Sequence, residues 1–266
     1  LSLTCAGEFV LGFAQVMEKE ERNLKDILSD IERQERGTLR VGASTVRSIQ
    51  LLPQILPDFH KKYPRVSVSY EDGRAFQLEK KILNGELDFA IAFSKEYHPD
   101  LIEHEFLQDP VYLCVPEGLL QQYYSPEEIQ AVKARATEDV GLEDFARLPF
   151  SMMDTRLGRL LQERFKRAGI RPNVFFTSPS SSQIMPLCAM GVTACFATHM
   201  ALLSHLDQLG TGVNIFPLLE GNGPMTQSLS LLRHRQRYLT HFSKYFMELL
   251  FETTARMEQV QIAHIV

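Results

Sequence analysis

The sequence lacks an excess of positive charge, a long apolar run and a secretory leader. The formal net charge of its 266 residues is −5 and the isoelectric point is about 5.9, whereas a self-contained nucleic-acid-binding domain usually has an isoelectric point above about 9. No apolar run reaches the roughly 18 residues of a membrane-spanning helix, and no basic segment followed by an apolar one stands at the start. We therefore expect a cytoplasmic protein that binds DNA poorly by itself and does not enter a membrane.

Signatures of enzymes and metal sites are missing as well. The chain has no HExxH, GxSxG or P-loop motif, and Gly210-Thr211-Gly212 lacks the third glycine of a dinucleotide-binding loop. Its eight histidines are scattered, with no pair at metal-ligand spacing on one predicted helix. We accordingly expect no catalysis, no metal and no cofactor.

The four cysteines, at positions 5, 114, 188 and 195, lack the CxxC spacing of zinc and redox sites. Reduced thiols are the usual state in the cytosol. Cys188 and Cys195 are seven residues apart, which leaves open a peroxide-sensing pair. The apolar residues around both positions favour two small buried side chains instead.

The first part of the chain has the pattern of one long amphipathic helix. Residues 9–34 contain no proline and only one glycine, Gly12. Apolar residues recur there at alternating steps of three and four, the heptad spacing of a coiled coil, with one polar position at Glu20. Because this helix precedes the globular part, we expect it to pair with a second copy of the chain. The alternative is a helix packed on its own domain.

After this helix the pattern changes to alternating strands and helices. Strands are predicted at 39–42, 66–70, 88–93, 111–115, 150–153, 174–177, 193–197, 213–217 and 228–232, with helices at 51–63, 76–84, 126–136, 157–168, 182–190 and 240–257. The same strand–helix unit thus occurs twice, which predicts an α/β fold with two Rossmann-like lobes. In such sheets ligands bind beyond the carboxyl ends of the strands, where helix N-termini point.

Three segments resemble those of LysR-type transcriptional regulators. Residues 3–8 (LTCAGE) resemble the "LTxAGE" segment that closes the winged helix-turn-helix of that family and starts its linker helix. Residues 37–42 (GTLRVG), followed by Leu51-Leu52-Pro53 and Tyr63-Pro64, resemble the opening of its effector-binding domain. Residues 85–91 (GELDFAI) match its "GxLDxAI" strand. In this order, the segments extend the resemblance over nearly the whole chain.

The resemblance implies a fold like that of type 2 periplasmic binding proteins, preceded by a long linker helix. It assigns residues 1–36 to the linker, 37–116 and 217–266 to lobe I, and 117–216 to lobe II. It further implies a small-molecule inducer between the lobes, a homodimer or homotetramer, and DNA binding only through a winged helix-turn-helix domain that the sequence given leaves out. A solute-binding protein of the periplasmic type has the same fold and stays the alternative; it predicts a signal peptide and no dimerising helix.

Two departures from the family pattern limit what the resemblance implies about the ligand. The chain carries an additional helical segment around residues 120–145, where relatives have a short connection. Residues 153–165, where the peroxide sensors of the family carry cysteines, contain none. The resemblance therefore does not supply the identity of the inducer and argues against peroxide sensing.

Candidate ligand-binding residues follow the predicted strands. Ser44 and Thr45 begin a helix, where hydroxyls and free N–H groups suit an anion, although either residue could simply cap that helix. Arg74 suits a carboxylate or is a solvated charge. The remaining candidates follow strands or stand where relatives contact ligand: Val46, Arg47, Phe93, Met153, Thr155, Ser181 and Thr198. This mixture of side chains predicts a small organic anion with an apolar part.

Overall fold

The first element of the structure, a computed structural model, is helix α1, Cys5–Ile31. The structure describes residues 3–31, 36–92, 98–135, 140–221 and 223–262. The predicted helix is therefore confirmed as far as Ile31, and its last three predicted positions lie outside the described residues. One side of α1 is an apolar stripe, formed by Phe9, Val10, Phe13, Val16, Met17, Leu24 and Leu28. All seven side chains are exposed, Phe13 by 67%.

The described residues form two compact units. The first comprises residues 1–107 and 228–257, and the second residues 108–227 and 258–266. The first unit contains α1, then β1 (Gly37–Ala43), α2 (Thr45–Lys62), β2 (Val66–Asp72), α3 (Ala75–Leu83), β3 (Phe89–Ala92) and the start of β4 (Leu101–Pro116). The chain returns to this unit in β11 (Thr226–His234) and ends it with α10 (His241–Gln259).

The sheet of the first unit has the order β2-β1-β3-β11-β4. Strand β1 runs parallel to β2 and β3, and β11 runs antiparallel to β3. Helices α2 and α10 share a core in which the rings of Phe59 and Phe89 each lie 6.0 Å from the ring of Phe246. The parallel strands thus present one carboxyl edge, which carries the β1–α2 and β2–α3 connections.

Helix α1 docks on the first unit through a row of polar side chains. This polar docking face consists of Lys19, Arg22, Asn23, Asp26 and Asp30, which share one side of the helix by its 3.6-residue period. Its contacts are Lys19 Nζ to His234 Nε2 (3.0 Å), Arg22 to the Gly85 carbonyl, Tyr238 N to Asn23 Oδ1 (3.0 Å), Arg237 to Asp26 (2.9 Å) and Tyr238 OH to Asp30 (3.1 Å). Packing on its own domain is therefore correct for this face, while the apolar stripe stays open.

The centre of this docking is a buried ion-pair network. The side chain of Arg237 is only 4% exposed and lies 2.5 Å from Asp88 and 2.9 Å from Asp26. Asp88 also accepts a hydrogen bond from the backbone N–H of Arg40 in β1, at 2.7 Å. Burial raises the pKa of Asp26, and the charge of Arg237 opposes that rise.

Gly85 allows α1 to approach the turn that follows α3. It has a φ of +73°, a conformation that suits glycine. A Cβ atom at this position would lie 2.7 Å from Lys19 Cγ. Gly85 thus directly follows Asn84, the C-cap residue of α3, and has a second role in the contact with α1.

The second unit contains the rest of β4 and a series of shorter helices and strands, besides short 3₁₀ turns. They are α4 (Glu117–Tyr123), α5 (Pro126–Ala134), β5 (Pro149–Met153), α6 (Arg156–Arg167), β6 (Asn173–Ser178), α7 (Ser181–Ala189), β7 (Ala194–Thr198), α8 (His199–Leu203), α9 (Leu206–Leu209), β8 (Val213–Pro217), β9 (Leu219–Glu220) and β10 (Gly223–Pro224). The sheet order is β4-β7-β5-β6, and β8 also pairs with β4. Strand β5 is parallel to both β6 and β7.

Three of the cysteines belong to the core of the second unit. Cys114, Cys188 and Cys195 are fully buried, whereas Cys5 is exposed. Cys114 and Cys195 face each other in the register of β4 and β7. The prediction that Cys188 and Cys195 are buried small side chains is confirmed, and the pairing of strands adds Cys114 to them.

Replacing Arg237 by methionine should destabilise the protein by about 3–5 kcal/mol, because it removes the nearest cation from the buried carboxylate of Asp88 and from the partly buried carboxylate of Asp26. Urea unfolding measures the change. Lys25→Met is the matched control: its pair with Glu21 is exposed, and exposed ion pairs contribute little to stability. Equal losses in the two variants would contradict a central role for the Arg237 network.

Stability should fall as the pH drops from 7 towards 5. Burial lowers the pKa of His104 and of His234, and the cations Arg233 and Lys19 lower them further. Since the folded pKa values lie below those of the unfolded chain, the unfolded state takes up these protons first, and stability is lost as the pH falls.

The double variant His104→Gln/His234→Gln should show a shallower loss in urea midpoints measured at pH 7.5, 6.5 and 5.5. The exposed His60 provides the control variant, His60→Gln. An unchanged pH profile in the double variant would show that other groups govern acid unfolding.

Candidate functional site

The register of β1 and β2 brings two connections of the first unit together. Ala43 is the partner of Asp72 at the carboxyl ends of these strands, and the N–H of Gly73 donates to the Ala43 carbonyl at 3.3 Å. Ser44 and Arg74, which follow the two strand ends, therefore lie at the same edge. Both residues were predicted from the sequence, but their proximity follows only from this register.

Ser44 occupies the N-cap position of α2, but its side chain makes no capping hydrogen bond. Its hydroxyl is exposed and remains available at the helix N-terminus. Capping, the alternative interpretation of this residue, is thus wrong for its side chain. Thr45 does not cap the helix either, because its Oγ1 donates to Asp72 Oδ1 at 2.8 Å.

Asp72 is a residue of this edge that was not predicted from the sequence. Besides the hydrogen bond from Thr45, its Oδ1 lies 3.3 Å from the Tyr70 hydroxyl, which is also 3.2 Å from the Ala43 carbonyl. Burial raises the pKa of Tyr70, and the negative charge of Asp72 adds to that rise. The alternation of β2 places residues 70 and 72 on one face. Our predicted strand ends at Tyr70 and therefore misses this relation.

The other candidates of the first unit differ in their surroundings. Arg47 is only 7% exposed and is therefore not a surface charge. Val46 is half-buried and Arg74 is exposed. The Gln50 amide, one turn further along α2, is buried without a hydrogen-bond partner among the described residues. Phe93 lies outside the described residues.

In the second unit, the parallel strands β5, β6 and β7 bring the remaining candidates to one edge. Met153 is the register partner of Ser178, and Asp154 N donates to the Ser178 carbonyl at 2.9 Å. Thr155 is the N-cap residue of α6, yet its side chain makes no capping bond. Its Oγ1 is buried and has no partner among the described residues.

The hydroxyl of Thr198 is already engaged. It caps α8 by accepting from Ala201 N at 3.4 Å, and the buried carboxylate of Asp109 accepts from Met200 N at 3.0 Å at the same helix end. Ser181, in the first turn of α7, is 4% exposed. Asp109 is a second residue that was not predicted, because its partner lies about ninety residues away in the chain.

Neither a metal site nor a membrane-spanning helix is found among the described residues. No group of three or more His, Cys, Asp or Glu side chains among them could hold a metal ion. No described helix is both long and apolar enough to cross a membrane. A surface groove of about 400 Å³ lies between β2 and α3. Asp72 and Phe76 line it, whereas Ser44, Thr45 and Arg74 do not.

Comparison with known proteins gives consistent matches. Residues 32–255 match the family described as LysR substrate binding domain. The HTH-type transcriptional regulator CysB of Haemophilus influenzae is 24% identical over 261 residues, covering 96% of this chain and 77% of CysB.

Two solved structures have the same fold. A full-length OxyR variant from Pseudomonas aeruginosa has a TM-score of 0.67 at 18% identity, covering 99% of this chain and 81% of OxyR. The BenM effector binding domain with its effector benzoate has a TM-score of 0.63 at 12% identity, covering 85% and 96% respectively. These likenesses confirm the predicted fold class.

The family match decides between the two interpretations of this fold. It extends over residues 32–255, most of the chain, and CysB, the relative compared above, is a transcriptional regulator rather than a solute receptor. The predicted family is confirmed: the chain belongs to the LysR family of transcriptional regulators and carries their substrate-binding domain.

Proposed function

We propose that this regulator senses a small organic effector at the carboxyl edges of its two sheets. The observation that carries the proposal is the hydroxyl of Ser44, which makes no capping bond and lies at the same edge of β1 and β2 as Arg74. The benzoate bound by BenM supports an effector of this size and chemistry. Met153, Thr155 and Ser181 are proposed to supply the contacts of the second unit; Thr198 stays a weaker candidate because its hydroxyl already caps α8.

The effector acts by changing the relative stability of two conformations of the regulator. It can shift that equilibrium only by its difference in affinity for the two, and couplings between sites are typically about 1–3 kcal/mol. In the first unit, Ser44 and Arg74 follow the carboxyl ends of the parallel strands, whereas α1 docks at Asp88 and His234, near their amino ends. Strand β1 connects the two edges.

This coupling changes the geometry of an oligomer that is bound to DNA. We propose that the apolar stripe of α1 pairs with a second copy, giving a homodimer or homotetramer in the cytoplasm. DNA is contacted through a winged helix-turn-helix domain that precedes α1, and no catalysis takes place. The exposure of the seven stripe residues supports the pairing, since heptad-spaced apolar residues favour helix association.

The pairing predicts that Phe13→Asp and Met17→Asp, combined in one variant, weaken dimerisation at least about a hundredfold, because four apolar contacts are replaced by charges. Analytical ultracentrifugation over a concentration series measures the effect. Leu11→Asp is the control: Leu11 is apolar and 47% exposed but lies on the other side of α1 from Phe13. Dissociation of the Leu11→Asp variant to the same extent would exclude the stripe as the specific interface.

The effector site predicts that a ligand found in a thermal-shift screen of small organic acids loses about tenfold in affinity in Ser44→Ala and in Arg74→Ala. Arg65→Ala, at an exposed arginine beside the amino end of β2, should leave binding unchanged. A ligand whose affinity survives both site substitutions binds elsewhere. Recovery of the ligand chemically unchanged after incubation separates sensing from catalysis.

A further inference from the structure

The carboxylate of Asp72 places a negative charge at the edge where Ser44 and Arg74 lie. A ligand that is only an anion does not compensate this charge. Thr45 donates its hydroxyl proton to Oδ1 of this residue, and the Tyr70 hydroxyl lies 3.3 Å from the same oxygen. Among the described residues, no lysine, arginine or histidine forms an ion pair with Asp72. Its second oxygen therefore remains an acceptor without a partner in the part of the chain that the structure describes.

The hydrogen bond from Thr45 also fixes what that residue can offer. Because its single hydroxyl proton points to Asp72 at 2.8 Å, the hydroxyl of Thr45 presents only lone pairs to a ligand. A carboxylate placed here would meet an acceptor and a like charge, both of which are unfavourable. The Thr45 hydroxyl therefore cannot donate to an anion while it makes this hydrogen bond, and only the backbone N–H of the residue could do so.

The same edge also offers a cation and a donor. Arg74 follows Asp72 by two residues, is exposed, and forms no ion pair with a carboxylate of the described chain. The Ser44 hydroxyl has no capping partner. A guanidinium and a hydroxyl together suit a carboxylate group, so the edge carries one acceptor of negative charge and one donor of positive charge.

We propose that the effector is a zwitterion with an ammonium and a carboxylate group on neighbouring carbon atoms, as in a free amino acid. The ammonium donates to Asp72 and the lone pairs of Thr45, and the carboxylate accepts from Arg74 and Ser44. This inference rests on the proposed function, because it assigns a ligand class to the same edge. The alternative is that Asp72 only holds Thr45 in place. This role explains the hydrogen bond but predicts no preference for amino acids over other ligands.

The experiment compares matched ligands by isothermal titration calorimetry on the complete protein. Each of the proteinogenic amino acids is titrated beside its deaminated carboxylic acid and its decarboxylated amine; for phenylalanine these are 3-phenylpropanoate and 2-phenylethylamine. At least one amino acid should bind roughly tenfold or more tightly than both of its counterparts, because each counterpart leaves one charged group of the edge unmatched.

Two substitutions of similar shape test separately which residue binds the ammonium group and which binds the carboxylate group of the ligand. Asp72→Asn should remove the preference for the amino acid over its carboxylic acid, and Arg74→Gln should remove the preference over its amine. Arg65→Gln should change neither ratio. Circular dichroism confirms that the variants are folded, and ratios of affinities measured on one variant are insensitive to a general loss of stability.

The outcomes separate the inference from the proposed function. If plain carboxylates bind as tightly as amino acids and lose affinity in Arg74→Gln, the zwitterion is excluded while the proposed site stands. If an amino acid binds but its preference survives Asp72→Asn, the role of Asp72 is wrong. If no member of the panel and no other organic acid binds, both the inference and the proposed site fail.

Discussion

The contact of Arg237 with Asp88 and Asp26 determines how the first unit is assembled. One nearly buried guanidinium joins α1, the segment before β3 and the segment before α10, and Asp88 extends the network to the backbone of β1. Buried charges are tolerated only with their partners in place. The long helix is therefore held by a few directional contacts, while its apolar stripe stays exposed.

This mode of attachment is compatible with the pairing of α1 proposed above. The polar docking face is used within the chain, and the apolar stripe on another side of the helix is exposed. Ion pairs and hydrogen bonds depend on geometry far more than apolar contacts do. A small rotation of α1 would therefore break several contacts together. Orientations between the docked one and a released one are thus unfavourable.

The order of strands and helices could be predicted because periodicity and turn residues recur clearly, as in Val66, Val68 and Tyr70. The short helices α8 and α9 were not predicted, since they are too short to show a helical period. The role of Asp72 depends on which strand lies beside β2, and the burial of Arg47 depends on tertiary packing. Neither is encoded in local sequence. The predicted strand ends were enough to locate the candidate edge. The charged residue Asp72 became part of it only through the pairing of β1 with β2.

Gly85 has a consequence for the regulator as a whole. The space that Lys19 and Arg22 occupy beside this turn exists because position 85 carries a hydrogen atom in place of a side chain. A methyl group there would lie 2.7 Å from Lys19 Cγ, so that either the Lys19 side chain or α1 itself would have to move away from this turn. Since about fourteen residues of α1 lie on the N-terminal side of Lys19, a tilt of about 10° would displace the far end of the helix, about 20 Å away, by about 3.5 Å. The direction in which α1 points thus depends on the absence of a single carbon atom at position 85.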